Sequence, residues 1–383
     1  MMRFELEFRG RGKGNGFMRR KLRVGIIGCG GIAFSKHMPG LKTIEEVKMV
    51  AFCDIIEERA VKAKKEFGCK GAKVYTDYRD LLKDESIDVV HICTPNRSHS
   101  FITIDSLHAG KHVMVEKPMA KTAAEAREMV KAAKETGKKL TVGYQNRCRP
   151  ESIYLRREIV DKGKMGEIYY AKALALRRRA TPTWGVFLDE YEQGGGPLID
   201  IGTHALDLTL YMMNNYKPKL VLGTTYKKLP DPNCGNVWGP WDPKKHTVED
   251  AAFGFIVMED GATVYLESSW ALNILDPIEA STVLCGTKMG AQIKNKDLIL
   301  NYDENGELKE EHPIDCYEET IKQKSAPIEA RQWIDAILYD RDPVVLPEEA
   351  CVVSEILEAI YLSAKTGKPV RFNADGTFEP IDG

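Results

Sequence analysis

Three side chains in this sequence sit where they could move a proton: a lysine closing an apolar run, and an aspartate and a histidine behind three glycines. Lys117 stands in Glu116-Lys117-Pro118, directly after the apolar residues 112–115. Asp200 and His204 stand in Gly194-Gly195-Gly196-Pro197-Leu198-Ile199-Asp200-Ile201-Gly202-Thr203-His204, a spacing that puts both on one face of a helix, one turn apart. An imidazole titrates near neutral pH without tuning and so serves as a base. An ammonium stabilises negative charge developing on oxygen, and a carboxylate at a helix N-terminus stays ionised and can hold either partner in place. Asp207, three residues beyond His204, is expected to orient or support it. Each feature alone also has a plain structural explanation. A strand-end lysine is commonly a solvated surface group, and an aspartate opening a helix is commonly its cap. Pro118 fixes the backbone and with it the direction of Lys117, and the glycines at 194–196 let a backbone or a cofactor come close.

A second constellation has the features of a dinucleotide site. Gly28-Cys29-Gly30-Gly31-Ile32-Ala33 follows an apolar run at 22–27 and opens a helical pattern. Read as G-x-G-x-x-A, Gly28 makes the tight turn, Gly30 admits the pyrophosphate, and Ala33 keeps the helix near the sheet. The N–H groups of Gly30, Gly31 and Ile32 then face the phosphates at the positive end of that helix. Asp54 closes the next apolar run, where a carboxylate accepts from the adenosine ribose hydroxyls and repels a 2′-phosphate. Ile55 and Ile56 follow it with no adjacent cation, so NAD is expected over NADP; Arg59, a turn further on, is the one residue able to reach a phosphate.

These residues need elements to hold them. Short Val- and Ile-rich runs at 22–27, 48–53, 87–93, 112–115 and 140–143 alternate with amphipathic stretches at 57–67, 98–109 and 123–136, the last closed by Gly137. Strand alternating with helix predicts a parallel, doubly wound α/β sheet. Beyond residue 150 the pattern changes to strands at 167–176, 219–227, 249–258, 262–270, 279–285 and 298–302, with turn signals at Glu259-Asp260-Gly261 and Glu304-Asn305-Gly306. One helix, 200–213, lies among them, and two more, 318–339 and 347–365, close the chain. The expected organisation is an N-terminal tail (1–20), a Rossmann NAD-binding domain (21–146), and an α+β domain with a large open, mostly antiparallel sheet for substrate binding and oligomerisation (147–383).

Taken together, strand–GCGGIA–helix, Thr94-Pro95-Asn96, Glu116-Lys117-Pro118, Gly143-Tyr144-Gln145-Asn146-Arg147 and GGG-PLIDIGTH resemble the Gfo/Idh/MocA oxidoreductases, the glucose–fructose oxidoreductase and inositol dehydrogenase family, from Leu22 to the end of the chain. The resemblance implies that Lys117 and His204 flank a reacting hydroxyl with Asp200 completing a triad, and that Thr94, Asn96, Glu116 and Gln145 lie along the nicotinamide ribose. It implies an NAD-dependent dehydrogenase acting on a secondary hydroxyl of a sugar, glycoside or cyclitol. Which of Lys117 and His204 takes the proton is open at this level. Arg178, within Arg177-Arg178-Arg179, and Trp184 are candidate substrate contacts, as is the aromatic loop 229–246 with Trp238 and Trp241; an oligomer interface would use the same residue types. An NAD-dependent glycosidase working through a transient ketone, or an NAD-binding sensor, are the competing functions.

Bulk properties fit this and exclude others. The chain of 383 residues carries a net charge of −1, so no global field recruits nucleic acid or acidic lipid. Hydrophobic residues at 43% and charged residues at 29% describe a globular protein of about two domains, without a run long enough to span a membrane. The nine cysteines are scattered with no C-x-x-C pair, which predicts reduced thiols in a cytoplasm and no metal site. Residues 1–20 are rich in Gly, Arg and Lys, and Met18 is a candidate start. The second sheet offers more apolar positions than one core needs, which predicts a homodimer or homotetramer.

Overall fold

A computed structural model describes residues 20–228, 235–313 and 325–381. Nearly all of the expected tail, residues 229–234 of the aromatic loop, Cys234, Cys316 and the first turns of the helix expected at 318–339 lie outside them.

Six strands make a parallel sheet: β1 (Leu22–Ile27), β2 (Val47–Cys53), β3 (Lys73–Tyr75), β4 (Val89–Ile92), β5 (His112–Val115) and β6 (Leu140–Val142). Their order is β3-β2-β1-β4-β5-β6. The apolar runs form strands because both faces are covered; every residue of β4 and β6 is buried. Strand β3 has no apolar run to announce it: it is an edge strand of three residues, opened by an exposed lysine. Strand order reverses between β1 and β4, and the turns after these two strands open the crevice where ligands of such sheets bind. The helix between β5 and β6, Ala123–Thr136, starts with a Thr122/Glu125 capping box and ends at Gly137 with φ 62°, the left-handed stop its sequence predicts.

The second sheet has ten strands: β7 (Ile168–Leu176), β8 (Pro218–Tyr226), β9 (Ala251–Met258), β10 (Thr263–Ser269), β11 (Ile278–Gly286), β12 (Met289–Lys294), β13 (Asp297–Glu304), β14 (Glu307–Glu311), β15 (Val370–Phe372) and β16 (Phe378–Pro380). The order is β14-β13-β12-β11-β7-β10-β9-β8-β15-β16. Only β7 and β10 run parallel; the other pairs are antiparallel. Both anticipated hairpins form, at Gly261 (φ 91°) and at Asn305-Gly306 (φ 57° and 83°). Strands β12, β14, β15 and β16 carry too few apolar residues to stand out from the sequence.

One face of this sheet is covered by the helices Thr203–Met213 and Pro347–Thr366. The other presents Tyr265 and Leu222, 41% and 44% exposed, with Tyr265 in edge contact with Phe255 at 5.1 Å. Two C-terminal helices fix the sheets to each other. Ser325–Leu338 places Trp333 and Ile334 in the core built on Val24, Ile26 and Phe52. Pro347–Thr366 packs against both Ala123–Thr136 and β8. The cleft between the sheets is therefore held from behind. No helix among the described residues is long and apolar enough to cross a membrane.

Candidate active site

The first half of the site is the turn after β1. Gly28 takes φ 87°, and a Cβ there would stand 2.7 Å from the carbonyl carbon and oxygen of Cys93 on the neighbouring strand's turn. A Cβ on Gly30 or Gly31 would meet nothing within 4 Å. The first glycine is thus demanded by the protein, whereas the next two border open space that a pyrophosphate can fill. Helix begins at Gly31, where its first amides have no intrahelical acceptor, and Ala33 is fully buried against the sheet. Asp54 closes the pocket's far side. Its Oδ2 accepts from the Cys29 N–H at 2.8 Å and its Oδ1 from the Ile56 N–H at 2.9 Å. Each oxygen keeps a lone pair for a ribose hydroxyl. Ile55 beside it is 90% exposed, and Arg59 is exposed on the following helix. These residues fit a dinucleotide without a 2′-phosphate.

The second half is assembled from both sheets. Lys117 leaves the end of β5 through a cis Lys117–Pro118 peptide. Its Nζ donates to Asp200 Oδ1 and to the Asp200 carbonyl, each at 3.0 Å. Trp270, just past β10, donates its indole N–H to Asp200 Oδ2 at 3.0 Å. Burial opposes ionisation of Asp200, but the Lys117 and Arg177 charges and these two donors outweigh it and hold the carboxyl below its usual range.

Asp200 does not begin an α-helix as expected. It lies in a π-turn, Leu198–Gly202, that leads into the α-helix Thr203–Met213. Such turns re-aim side chains and recur at functional sites.

His204 stands one turn on, with Tyr144 edge-on at 6.2 Å between centroids. Neither ring nitrogen has a hydrogen-bond partner among the described residues, and Nδ1 is sealed from solvent. Burial, then the Lys117 ammonium, push its pKa down to about 3. The expectation that His204 titrates near neutrality without tuning is therefore corrected: the imidazole is neutral throughout the working range.

Asp207 is corrected as well. It does not support His204; it forms a buried, forked ion pair with Arg147, 2.6 Å from Nη2 and 3.1 Å from Nε. Arg147 also donates to the Val344 carbonyl at 3.0 Å and to Glu349, tying the start of the second domain to the C-terminal helices.

The residues expected along the nicotinamide ribose are held by partners that sequence reasoning missed. Glu116 Oε1 lies 2.6 Å from Lys36 Nζ and 2.7 Å from His37 Nε2, and Lys36 Nζ donates to Gln145 Oε1 at 2.9 Å. Burial disfavours the Glu116 carboxylate, yet Lys36 and His37 keep it ionised, well below its usual range. Lys36 and His37 are adjacent in sequence and both buried, which a π-turn at Ala33–His37 makes possible. Asn96 donates to the Gln193 carbonyl at 3.0 Å, joining its loop to the residue before the glycine triplet. Thr94 Oγ1 accepts from Ser98 Oγ at 2.7 Å.

The triplet itself answers to protein rather than ligand. A Cβ on Gly195 would lie 2.1 Å from the Tyr361 hydroxyl, and one on Gly196 2.2 Å from the Glu249 carbonyl. Glu249 is the anchor of this turn. Its carboxylate accepts from the N–H groups of Gly196 (2.8 Å) and Leu198 (3.2 Å) and from the Tyr361 hydroxyl (2.8 Å). It caps the Asp200 segment from 49 residues away, and nothing in the local pattern names it.

Beyond Asp200, the segment after β7 carries the candidate substrate contacts. Trp184 is 51% exposed and meets Trp238 edge-on at 4.8 Å. Arg178 is exposed. Trp241, by contrast, is 6% exposed and packs on His246.

The profile described as oxidoreductase family, NAD-binding Rossmann fold, matches residues 22–144, and the GFO/IDH/MocA C-terminal domain profile matches residues 155–292. D-glucoside 3-dehydrogenase of Escherichia coli (strain K12) is 36% identical over 356 residues, 91% of this chain and 97% of that protein. Inositol 2-dehydrogenase of Salmonella typhimurium (strain LT2) is 36% identical over 148 residues, 38% of this chain and 43% of that protein. The solved structure of levoglucosan dehydrogenase with NADH and levoglucosan shares the fold, at TM-score 0.79 and 21% identity, over 92% of this chain and 99% of that one. Glycine turn, two-sheet architecture and both profiles lead to one assignment: the chain belongs to the GFO/IDH/MocA family and is an NAD-dependent oxidoreductase.

Proposed function

We propose that the protein oxidises a secondary hydroxyl of a sugar, glycoside or cyclitol, with Lys117, Asp200 and His204 as its acid–base set. The observation that carries this reading is the Lys117–Asp200 pair, 3.0 Å apart, beside an imidazole whose nitrogens have no partner among the described residues. The relatives named above for glucoside and inositol oxidation support the substrate class.

NAD supplies the hydride acceptor; the residues manage the proton. Lys117 has two of its N–H groups on Asp200, which leaves one to donate to the substrate oxygen and stabilise alkoxide character. Asp200, fixed by Trp270, keeps that ammonium aimed. His204, already neutral, accepts the hydroxyl proton. A group with its pKa near 3 is a weak base, but a weak base suffices: as hydride departs, the hydroxyl acquires the acidity of a protonated carbonyl. Electrons leave as hydride and the proton stays on His204, so the alcohol becomes a ketone.

Thr94, Asn96, Glu116 and Gln145 line the nicotinamide side, Gly28, Gly30, Gly31 and Ile32 the pyrophosphate, and Asp54 the adenosine ribose. Arg178 and Trp184 contact the substrate. The division near residue 147 separates the cofactor and substrate halves. The unpaired thiols of the seven described cysteines suit a reducing cytoplasm. The aromatic outer face of the second sheet pairs two copies into a dimer or tetramer; a monomer by light scattering at micromolar concentration refutes that.

The deciding experiment follows NADH absorbance over sugars, glycosides and inositols. Net NADH supports the dehydrogenase. Glycoside cleavage without NADH accumulation points to the glycosidase, and NAD binding without turnover of any of them to the sensor.

A further inference from the structure

Trp184, proposed above as a substrate contact, is one of two exposed indoles that meet beyond Arg177. Arg177, at the end of β7, is bound through its backbone N–H to the Ser269 carbonyl at 2.8 Å, next to the Trp270 that holds Asp200. Its charge reaches Asp200 and helps keep it ionised. The Arg177 guanidinium lies 5.2 Å from the Trp238 ring, and Trp238 meets Trp184 edge-on at 4.8 Å. Phe187 closes the back of Trp184, edge-on at 5.8 Å. The indole corner thus lies on the far side of Arg177 from Asp200.

The corner is built rather than incidental. Asn236 clamps its two loops, accepting from the Thr181 N–H at 2.8 Å and donating to the carbonyls of Thr181 and Gly239, both at 2.9 Å. Val237 donates to the Arg179 carbonyl at 2.9 Å, and Thr183 Oγ1 to the Trp238 carbonyl at 2.8 Å. Glu279 holds Arg177 through two bonds, 2.8 and 2.5 Å. These hydrogen-bonded loops present Trp184 at 51% and Trp238 at 40% exposure beside an ion-paired cation. Exposed aromatic surface held by hydrogen-bonded loops marks a ligand site, and the Arg177 charge is already matched by Glu279.

We propose that this corner is a second subsite that binds the non-reacting ring of a glycoside, a neutral six-membered ring with a flat C–H or aromatic face. The inference rests on the sugar-oxidising reading and narrows it: the substrate is a glycoside whose aglycone or second sugar covers Trp184 and Trp238. A free inositol would fill the Lys117 centre and leave both indoles in water.

The test compares methyl glucoside, phenyl glucoside and a glucosyl disaccharide in the full-length enzyme with NAD. The wild type should show the larger kcat/KM on at least one ring-bearing glucoside. Trp184→Ala should lower the ratio of that value to the methyl glucoside value by tenfold or more, with Trp184→Phe in between. Loss on the disaccharide alone identifies a sugar ring as the occupant, and loss on phenyl glucoside alone an aromatic one. An unchanged ratio overturns the subsite. So does faster oxidation of inositol than of any glucoside, which leaves the dehydrogenase reading intact. Calorimetric binding of phenyl and methyl glucoside to the NADH complex keeps the test separate from turnover. A Trp184-dependent preference for the phenyl compound with no NADH formed from any sugar upholds the subsite and rejects the sugar-oxidising reading. No such preference overturns the subsite whatever the turnover.

Discussion

The turn after β1 and the cleft around Lys117 are neighbours built on different principles. The turn is local: Gly28, Gly30, Gly31 and Asp54 come from one β-α-β unit, and Asp54 contacts Cys29, 25 residues away. The cleft is assembled at long range: Lys117 meets Asp200 across 83 residues, and Asp200 meets Trp270 across 70. A local site is specified by backbone geometry and changes through substitutions that alter binding. An assembled site depends on two sheets holding register, so substitutions there should alter turnover while NAD still binds. The two regions should therefore separate experimentally, turn variants in cofactor affinity and cleft variants in kcat.

The sharpest break falls on the cleft. Lys117→Ala should lower kcat by ~10²–10⁴, the usual share of a positioned acid–base group, with the Kd for NAD within about tenfold. Near-normal kcat on the best substrate would remove Lys117 from the chemistry. Loss of NAD binding would show that the two regions are not separable.

His204→Asn should cost about 10²-fold in kcat and sharpens the comparison through pH. Burial and Lys117 hold the folded imidazole at about 3, below its unperturbed ~6.5. The basic form is thus fully present above the unperturbed value and remains so well below it; protonation removes it only as pH falls toward the depressed value. Wild-type kcat/KM should accordingly show no acid limb between pH 6 and 8 that His204→Asn abolishes. Finding one would mean that His204 titrates near neutrality and that Lys117 does not depress it.

On the turn, Asp54→Ala removes two charge-assisted acceptors, each worth ~1.5–3 kcal/mol in a protected site. After allowing for water at a partly open position, NAD should bind about ten- to a hundredfold more weakly, with kcat at saturating NAD little changed. The variant should also narrow the preference for NAD over NADP without strong NADP binding, since Ile55 supplies no cation. Comparable kcat/KM values with NAD and NADP in the wild type would shift the assignment to Arg59.

Smaller effects test the supports. Trp270→Phe deletes the donor to Asp200 Oδ2 and trims a fully buried indole to a phenyl; about a tenfold loss of kcat with unchanged NAD affinity is expected for one charge-assisted bond. Tyr361→Phe removes one of three donors to Glu249. It should lower unfolding free energy by about 1–2 kcal/mol and kcat only a few-fold, as read by denaturant titration beside initial rates. If Tyr361→Phe cost more turnover than Trp270→Phe, the glycine turn rather than the indole would be the main support of Asp200.

Legibility followed the same divide. The Gly28 turn, the order of sheets and both hairpins form where residue types and spacing put them, and the candidates Lys117 and Asp200 meet in space. Partner assignments failed where a neighbour in sequence was chosen over one in space. Asp207 lies one turn from His204, but its carboxylate is taken by Arg147, a stronger, forked partner delivered by another element. The glycines at 194–196 suggested room for a backbone or a ligand, and the backbone alternative holds: the Glu249 carbonyl approaches Gly196, beside the Tyr361 hydroxyl at Gly195. Lys36 and His37 gave no signal because a π-turn, not sequence period, buries both.

What the sequence by itself determined is whatever depends on a few consecutive residues: a left-handed φ that only glycine takes freely at Gly28, the hydrophobic runs that make strands covered on both faces, and the residue types able to move a proton. What only the tertiary structure decided is who faces whom. His204 became a neutral imidazole because burial and an ammonium from another sheet displace its titration. Asp200 became a fixed carboxylate because Lys117 and Trp270 converge on it. Glu249 became a cap for a turn 49 residues upstream. Each outcome turns on Coulomb and hydrogen-bond interactions that fall off over a few ångströms, and distance in space across two packed sheets is not encoded in distance along the chain.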